Sequence, residues 1–213
     1  MRQSKLILCL ALGAVLAGCA APPTSRYYTL VPAATPVEAS GHIQAAKKYA
    51  ISVQPVQLPE QVDRPQIVIS VRDSARITPL NESLWASPLS DEIRRALSAD
   101  LSAQLGVLDI AAGAAPATLP VWKIYVTVQR FDSVFDSQAI LDATWHLKAV
   151  HKAGKDSRIC RAQISIPVDE GGPALVEGQR KAIRQLTNLI AAQLSDKPLR
   201  SASSPVVTLK GCV

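Results

Sequence analysis

Four cysteines, three histidines and one Pro-flanked acid–base pair are the residues of this chain best able to do chemistry. Cys9 and Cys19 lie close to the N-terminus. Cys160 and Cys212 lie far apart in the second half. Leu16-Ala17-Gly18-Cys19 has the form of the bacterial lipobox. In that reaction the thiol receives diacylglycerol and the peptide is cut just before it, so small residues are needed at 17 and 18. Arg2 and Lys5 supply the basic start, and Leu6 to Leu16 the short apolar stretch, of a secretory signal. An ordinary secretory signal with an accidental cysteine is the competing reading. Residue 20 is alanine rather than aspartate, which under the bacterial sorting rule directs a lipidated chain to the outer membrane. Three acyl chains on Cys19 would dominate membrane affinity, because each buried CH2 contributes about 0.8 kcal/mol.

If residues 1–18 are removed and Cys19 is acylated, Cys160 and Cys212 are the thiols left over in an oxidising compartment. A Cys160–Cys212 disulfide is one expectation. The alternative is a buried Cys160 and a free Cys212 on a tail. No His or Cys lies at ligand spacing from either, so no metal is expected.

Catalytic motifs are lacking. There is no Gly-x-Ser-x-Gly, His-Glu-x-x-His or phosphate-binding loop. Asp142 and His146 share one strand face, but no motif places a nucleophile beside them. No enzyme activity and no cofactor are expected. Asp63 and Arg64 could form an ion pair that fixes a loop, or stand as a solvated turn. The net charge of +6 comes from scattered basic residues without interleaved aromatics, which does not indicate nucleic-acid binding. With 48% hydrophobic and 19% charged residues, the chain has the composition of a folded domain rather than a disordered one.

The elements that must position these residues follow from periodicity. Strands are expected over residues 26–31, 49–56, 66–71 and 75–80. A helix follows, with Ser87 as its cap and Pro88 in its first position. Leu89, Ile93, Leu97, Leu101 and Leu105 form its apolar stripe, and Gly106 its end. Residues 121–131, 139–150 and 158–166 alternate as three strands of a meander. A second helix runs from about Pro173 to Ser195. Trp85, Trp122, Phe131 and Trp145 are expected in the core. The fold class is therefore α+β, a mostly antiparallel sheet with two long amphipathic helices packed on one face. The expected organisation is a signal peptide over 1–18, a lipidated tether over 19–25, a single domain over 26–198 and a C-terminal tail over 199–213. That tail contains an edge strand near Val206 to Leu209.

Several segments, in order, resemble the PqiC/YmbA family, the ABC-type transport auxiliary lipoproteins. Leu58-Pro59-Glu60, then Val62-Asp63-Arg64-Pro65-Gln66-Ile67-Val68, resembles that family's Leu-Pro and Asp-Arg-Pro-Gln segment. Trp85-Ala86-Ser87-Pro88-Leu89 resembles its tryptophan before a Leu-rich helix. Val126 to Asp132, including Phe131 and Asp132, and Leu141-Asp142-Ala143-Thr144-Trp145 resemble its hairpin strands. Tyr27 to Leu30 also fits, whereas the Cys212 tail has no place in the pattern. The resemblance implies a non-enzymatic lipoprotein on the periplasmic face of the outer membrane. It would work with an MCE-domain transporter protein in lipid movement between membranes, as a ring-shaped homo-oligomer. A stand-alone periplasmic lipid-binding lipoprotein with its own cavity, or an outer-membrane assembly factor, are the alternatives.

Overall fold

A computed structural model describes residues 24–31, 49–72, 74–110, 115–150, 157–199 and 206–213. The signal peptide, Cys19, most of the tether, His42 and His151 lie outside the described residues. Eight strands and two helices are present among those described. They are β1 (Arg26–Tyr28), β2 (Ala50–Val53), β3 (Gln66–Ser70), β4 (Ile77–Trp85), α1 (Leu89–Leu105), β5 (Val121–Val134), β6 (Gln138–Val150), β7 (Ser157–Pro167), α2 (Gly172–Leu194) and β8 (Val207–Cys212).

All eight strands form one sheet in the order β1-β4-β3-β5-β6-β7-β8, with β2 also paired to β5. The sheet is mixed, which corrects the expectation of a mostly antiparallel one. β5–β6, β6–β7, β7–β8 and β3–β4 are antiparallel, but β1–β4, β2–β5 and β3–β5 are parallel. Alternation in sequence reveals which face a side chain occupies, and not which strand lies beside it. Two connections produce the parallel pairs. The chain runs from β2 through residues 54–65 and resumes in the same direction as β3, so both strands share one edge of the long β5. From β3 it returns through β4 and crosses over α1, and such a crossover brings β5 back parallel to β3.

Both helices cover one face of the sheet. Ile93, Leu97 and Leu101 of α1, Ile183, Leu186 and Ile190 of α2, and Leu141, Ala143, Trp145, Ala162 and Ile164 of the sheet belong to a single buried cluster. α1 starts one residue later than the sequence suggests. Pro88 is its N-cap, and its carbonyl accepts the amides of Asp91 and Glu92. Ser87 does not cap the helix and bonds Glu92 instead. Gly106 closes α1 in the left-handed region at φ 63°, a conformation open to glycine without a Cβ penalty. α2 presses close to the sheet at Gly178. A Cβ added there would come within 2.3 Å of Val168 Cγ1 and 3.0 Å of the Ala139 Cβ, so only glycine fits.

One irregularity decides the far half of β5. Its register with β6 shifts between Val128 and Arg130. Before this bulge Trp122, Ile124, Val126 and Val128 face the helices. After it Phe131 and Ser133 do, because the extra residue reverses the parity. Arg130 and Asp132 then share the opposite face, where they form an ion pair. The segment read as a C-terminal tail supplies β8, the edge of the sheet. β4 also runs further than residues 75–80 suggested, to Trp85, where it receives β1.

Candidate functional site

Residues 54–65 leave the β5 edge between β2 and β3, so the Leu58 to Gln66 motif is the loop between two strands on one edge. Gln57 still touches β5: its amide donates to the Val126 carbonyl, and its carbonyl accepts from the Val128 amide. Leu58 packs against the core, and Val62 is buried. The Pro59 carbonyl accepts the amides of Val62 and Asp63 and so closes a tight turn. Pro65, having no N–H itself, offers its carbonyl to the Trp85 amide at 2.8 Å. Gln66 begins β3 opposite Leu84. The Trp85 ring meets Phe131 edge-on, with centroids 6.3 Å apart, and Tyr28 of β1 is its register partner. Motif residues scattered over 28–131 thus converge on one corner of the domain.

The two charged members of the motif do not form the ion pair considered from sequence. Asp63 and Arg64 are both exposed and stand on the rim of an open groove of about 280 Å³, lined also by Pro65, Ser87 and Pro88. Proline rings and a serine make up the rest of the lining, so the corner presents rigid backbone and two free charges. That arrangement can recognise another protein surface.

Glu92, which the sequence marks only as a first-turn acid, is the buried centre of this corner at 2% exposure. Its Oε2 accepts from Thr29 Oγ1 at 2.7 Å and from the Leu30 amide at 2.9 Å, and its Oε1 accepts from Ser87 Oγ. Arg95 stands 3.9 Å away and also donates to Ser87 Oγ. Burial by itself raises the Glu92 pKa. The hydrogen bonds from Ser87, Thr29 and Leu30 and the charge of Arg95 outweigh it, and the carboxyl ends below its usual 4.5. Glu92 therefore fastens the end of β1, the Ser87 loop and α1 to one another. Glu92→Gln should destabilise the fold by about 1–3 kcal/mol, because an amide NH2 would face groups that are themselves donors. The sign with pH follows from the lowered pKa. The carboxylate's contribution is complete above the unfolded value and is lost as pH falls through the folded one. The gap between wild type and Glu92→Gln, measured by urea denaturation, should accordingly narrow below about pH 4. A gap that is constant from neutral to acid pH would contradict this account.

The remaining candidates are dispersed. Asp132 pairs with Arg130, and its backbone carbonyl accepts from Gln179 Nε2 at 2.9 Å. Trp145 is fully buried beneath α2, and its Nε1 donates to Gln193 Oε1 at 2.7 Å. Trp85, Trp122 and Phe131 are buried as well. His146 lies on the helix-free face, stacked on Tyr125 and 2.7 Å from Ser157 Oγ. Asp142, the acid that could complete a triad, is held by both Nε and Nη2 of Arg161 at 2.9 Å. The serine and histidine therefore lie on an open face without that acid. Among the described residues no three His, Cys, Asp or Glu side chains converge as a metal site would require. No described helix is long and apolar enough to cross a membrane. Cys160 and Cys212 are register partners on β7 and β8 and are joined by a disulfide, S–S 2.03 Å. Gln193, Gln179, Thr29 and Ser87 were not legible as anchors, since each pairs with a residue more than thirty positions away or off helical spacing.

Comparison with known proteins identifies the corner's family. The model of the ABC-type transport auxiliary lipoprotein component matches residues 28–191. The chain belongs to this family. The matched span contains the whole motif corner and both helices, and leaves β8 with Cys212, and also Cys19, outside it. Over 138 residues the chain is 32% identical to the intermembrane transport lipoprotein PqiC of Escherichia coli (strain K12), covering 62% of this chain and 68% of that protein. The PqiC of Shigella flexneri matches equally. In fold, the chain is similar to an uncharacterized protein of known crystal structure, with TM-score 0.59 and 22% identity over 80% of this chain and 99% of that one. A second crystal structure, from Xanthomonas campestris, gives TM-score 0.50 and 16% identity over 83% and 99%. At these identities the two structures show the shared fold alone.

Proposed function

We propose that this family member is a non-enzymatic lipoprotein subunit of an intermembrane lipid transport system. Acylated Cys19 anchors it to the periplasmic face of the outer membrane. The domain receives an MCE-type component that spans the periplasm, and copies of the chain assemble into a ring around it. The family match over residues 28–191 carries this reading. Relatives named as intermembrane transport lipoproteins support it. The packing also favours a docking subunit over a stand-alone lipid carrier. Among the described residues the hollow beside Val62, Val68 and Phe131 holds only about 20 Å³, room for roughly one water, and larger hollows, such as the 280 Å³ groove at Asp63 and Arg64, are open at the surface. A lipid tail needs several hundred Å³ of apolar space.

Two measurements test the reading. Cross-linking in intact cells, followed by purification from detergent-solubilised envelope, should recover an MCE-domain protein, and Arg64→Glu should reduce its yield. Purification of the chain alone with a stoichiometric bound lipid would instead favour the lipid-carrier alternative. Separately, Cys19→Ser should leave the domain folded and release it from the outer membrane, because among the described residues no helix can replace the acyl chains. Quantitative retention of that variant through a carbonate wash would show that the anchor lies elsewhere.

A further inference from the structure

Three exposed apolar side chains gather at one end of the sheet. Val71 follows β3, Ile77 opens β4, and Phe135 lies in the β5–β6 turn. Their backbones are adjacent. Ser70 is the register partner of Ile77, and its carbonyl accepts the Phe135 amide at 2.9 Å. Arg72 links the two loops by donating to Ser137 Oγ at 2.7 Å. The loop Arg72-Asp73-Ser74-Ala75-Arg76 carries two arginines and one aspartate in sequence. On the same end, three strands away and therefore about 14 Å off, Asp169 and Glu170 are exposed beside α2. This end is thus apolar and basic on its β3–β4 side, and acidic on its β7–α2 side.

The chain enters the domain from this end. β1 runs parallel to β4, with Arg26 beside Ser83, so the chain enters β1 from the side of Ile77. Ser83 stands six residues beyond Ile77, at most about 20 Å along the strand and less because β4 bulges against β3 between Leu80 and Leu84. Cys19 precedes Arg26 by seven residues, a reach of at most about 24 Å. A tether of that length can bring Cys19 to the plane of Val71, Ile77 and Phe135. The opposite end of the domain, where β5 begins, lies the other way from the side on which the chain enters β1, so Cys19 could approach it only by doubling back.

We infer that the Val71–Ile77–Phe135 tip rests in the headgroup region of the phospholipid bilayer that holds the acylated N-terminus, so that the domain stands upright on the membrane. The inference rests on the anchoring by Cys19 proposed above and adds the orientation. A short tether raises the local concentration of this tip at the bilayer, so three apolar side chains suffice where they could not bind alone. Arg72 and Arg76 face lipid phosphates, and Asp169 and Glu170 tilt the β7–α2 side away. The helices and the motif corner then stand above the surface, free for a protein partner.

The test uses the full-length acylated chain in vesicles of phosphatidylethanolamine with a minority of phosphatidylglycerol. An environment-sensitive dye is attached to Ile77→Cys or, in a second preparation, to Leu108→Cys, without reductant. Leu108 is the control because it lies at the far end, bonded to Ile51 of β2. It is 74% exposed against 46% for Ile77, so apolar exposure alone would favour it for lipid contact. Lipids brominated near the headgroup should quench the dye at position 77 several-fold more than at 108. Equal quenching, or more at 108, in protein that floats with the vesicles would overturn the orientation and leave the anchor standing. Protein that fails to float with the vesicles would overturn the anchor and the orientation together.

Discussion

Trp145→Ala is expected to lower the unfolding free energy by about 3–5 kcal/mol, the range for removing a fully buried large aromatic side chain. Trp145 lies at the middle of β6, opposite Val126 on one side and Cys160 on the other, with α2 across it. Truncation leaves a cavity between sheet and helix, and it also strips Gln193 Oε1 of its donor. Gln193 Nε2 contacts Cys160 Sγ at 3.3 Å, so the side chain cannot turn to solvent without abandoning that partner too. Trp145→Phe keeps most of the packing and loses the hydrogen bond. Its deficit should be smaller, about 1–3 kcal/mol. Chemical denaturation of both variants separates the terms. Equal midpoints for the two would mean that the indole volume contributes nothing beyond its N–H.

Cys212→Ser should destabilise the oxidised protein by about 2–4 kcal/mol on the chain-entropy account. The bond links residues 52 apart, and opening it frees a long segment of the unfolded chain that contains α2. It also releases β8, an edge strand paired on one side only. Adding a reductant to wild type should reproduce most of the deficit, and adding it to Cys212→Ser should change nothing further. Alkylation of oxidised, denatured protein should leave both cysteines unmodified by mass. Two alkylated thiols in protein exported to the periplasm would remove the disulfide from the account, along with the stability assigned to it.

The two helices and the three meander strands could be read from the chain because their signals are local. Leu89 to Leu105 repeats every four residues and ends at a glycine. Ala139 to Val150 alternates without interruption. In each case the periodic side chains that pack together lie within one element, and the element's neighbours follow through short connections. The burial of Trp122 and Trp145 follows from the same patterns, whereas Phe131 owes its position to the bulge at Gln129. An unbroken alternation from Trp122 would have turned Phe131 to the other face.

Element types, most apolar faces and, through the ordered motifs, the family were legible in the residues alone. The tertiary structure alone decided the mixed sheet, because strand pairing joins distant segments and alternation is blind to direction. It alone placed Pro65, Trp85, Phe131 and Tyr28 on one corner, since their contacts run across several strands. Glu92 is the sharpest case. In sequence it is one more acid in the first turn of a helix, on the side where the dipole favours negative charge. Its three hydrogen-bond donors come from Thr29, Leu30 and Ser87, two of them more than sixty residues upstream. Local spacing brings only Ser87 and Arg95 beside it, and the donors from Thr29 and Leu30 are supplied only when β1 meets α1.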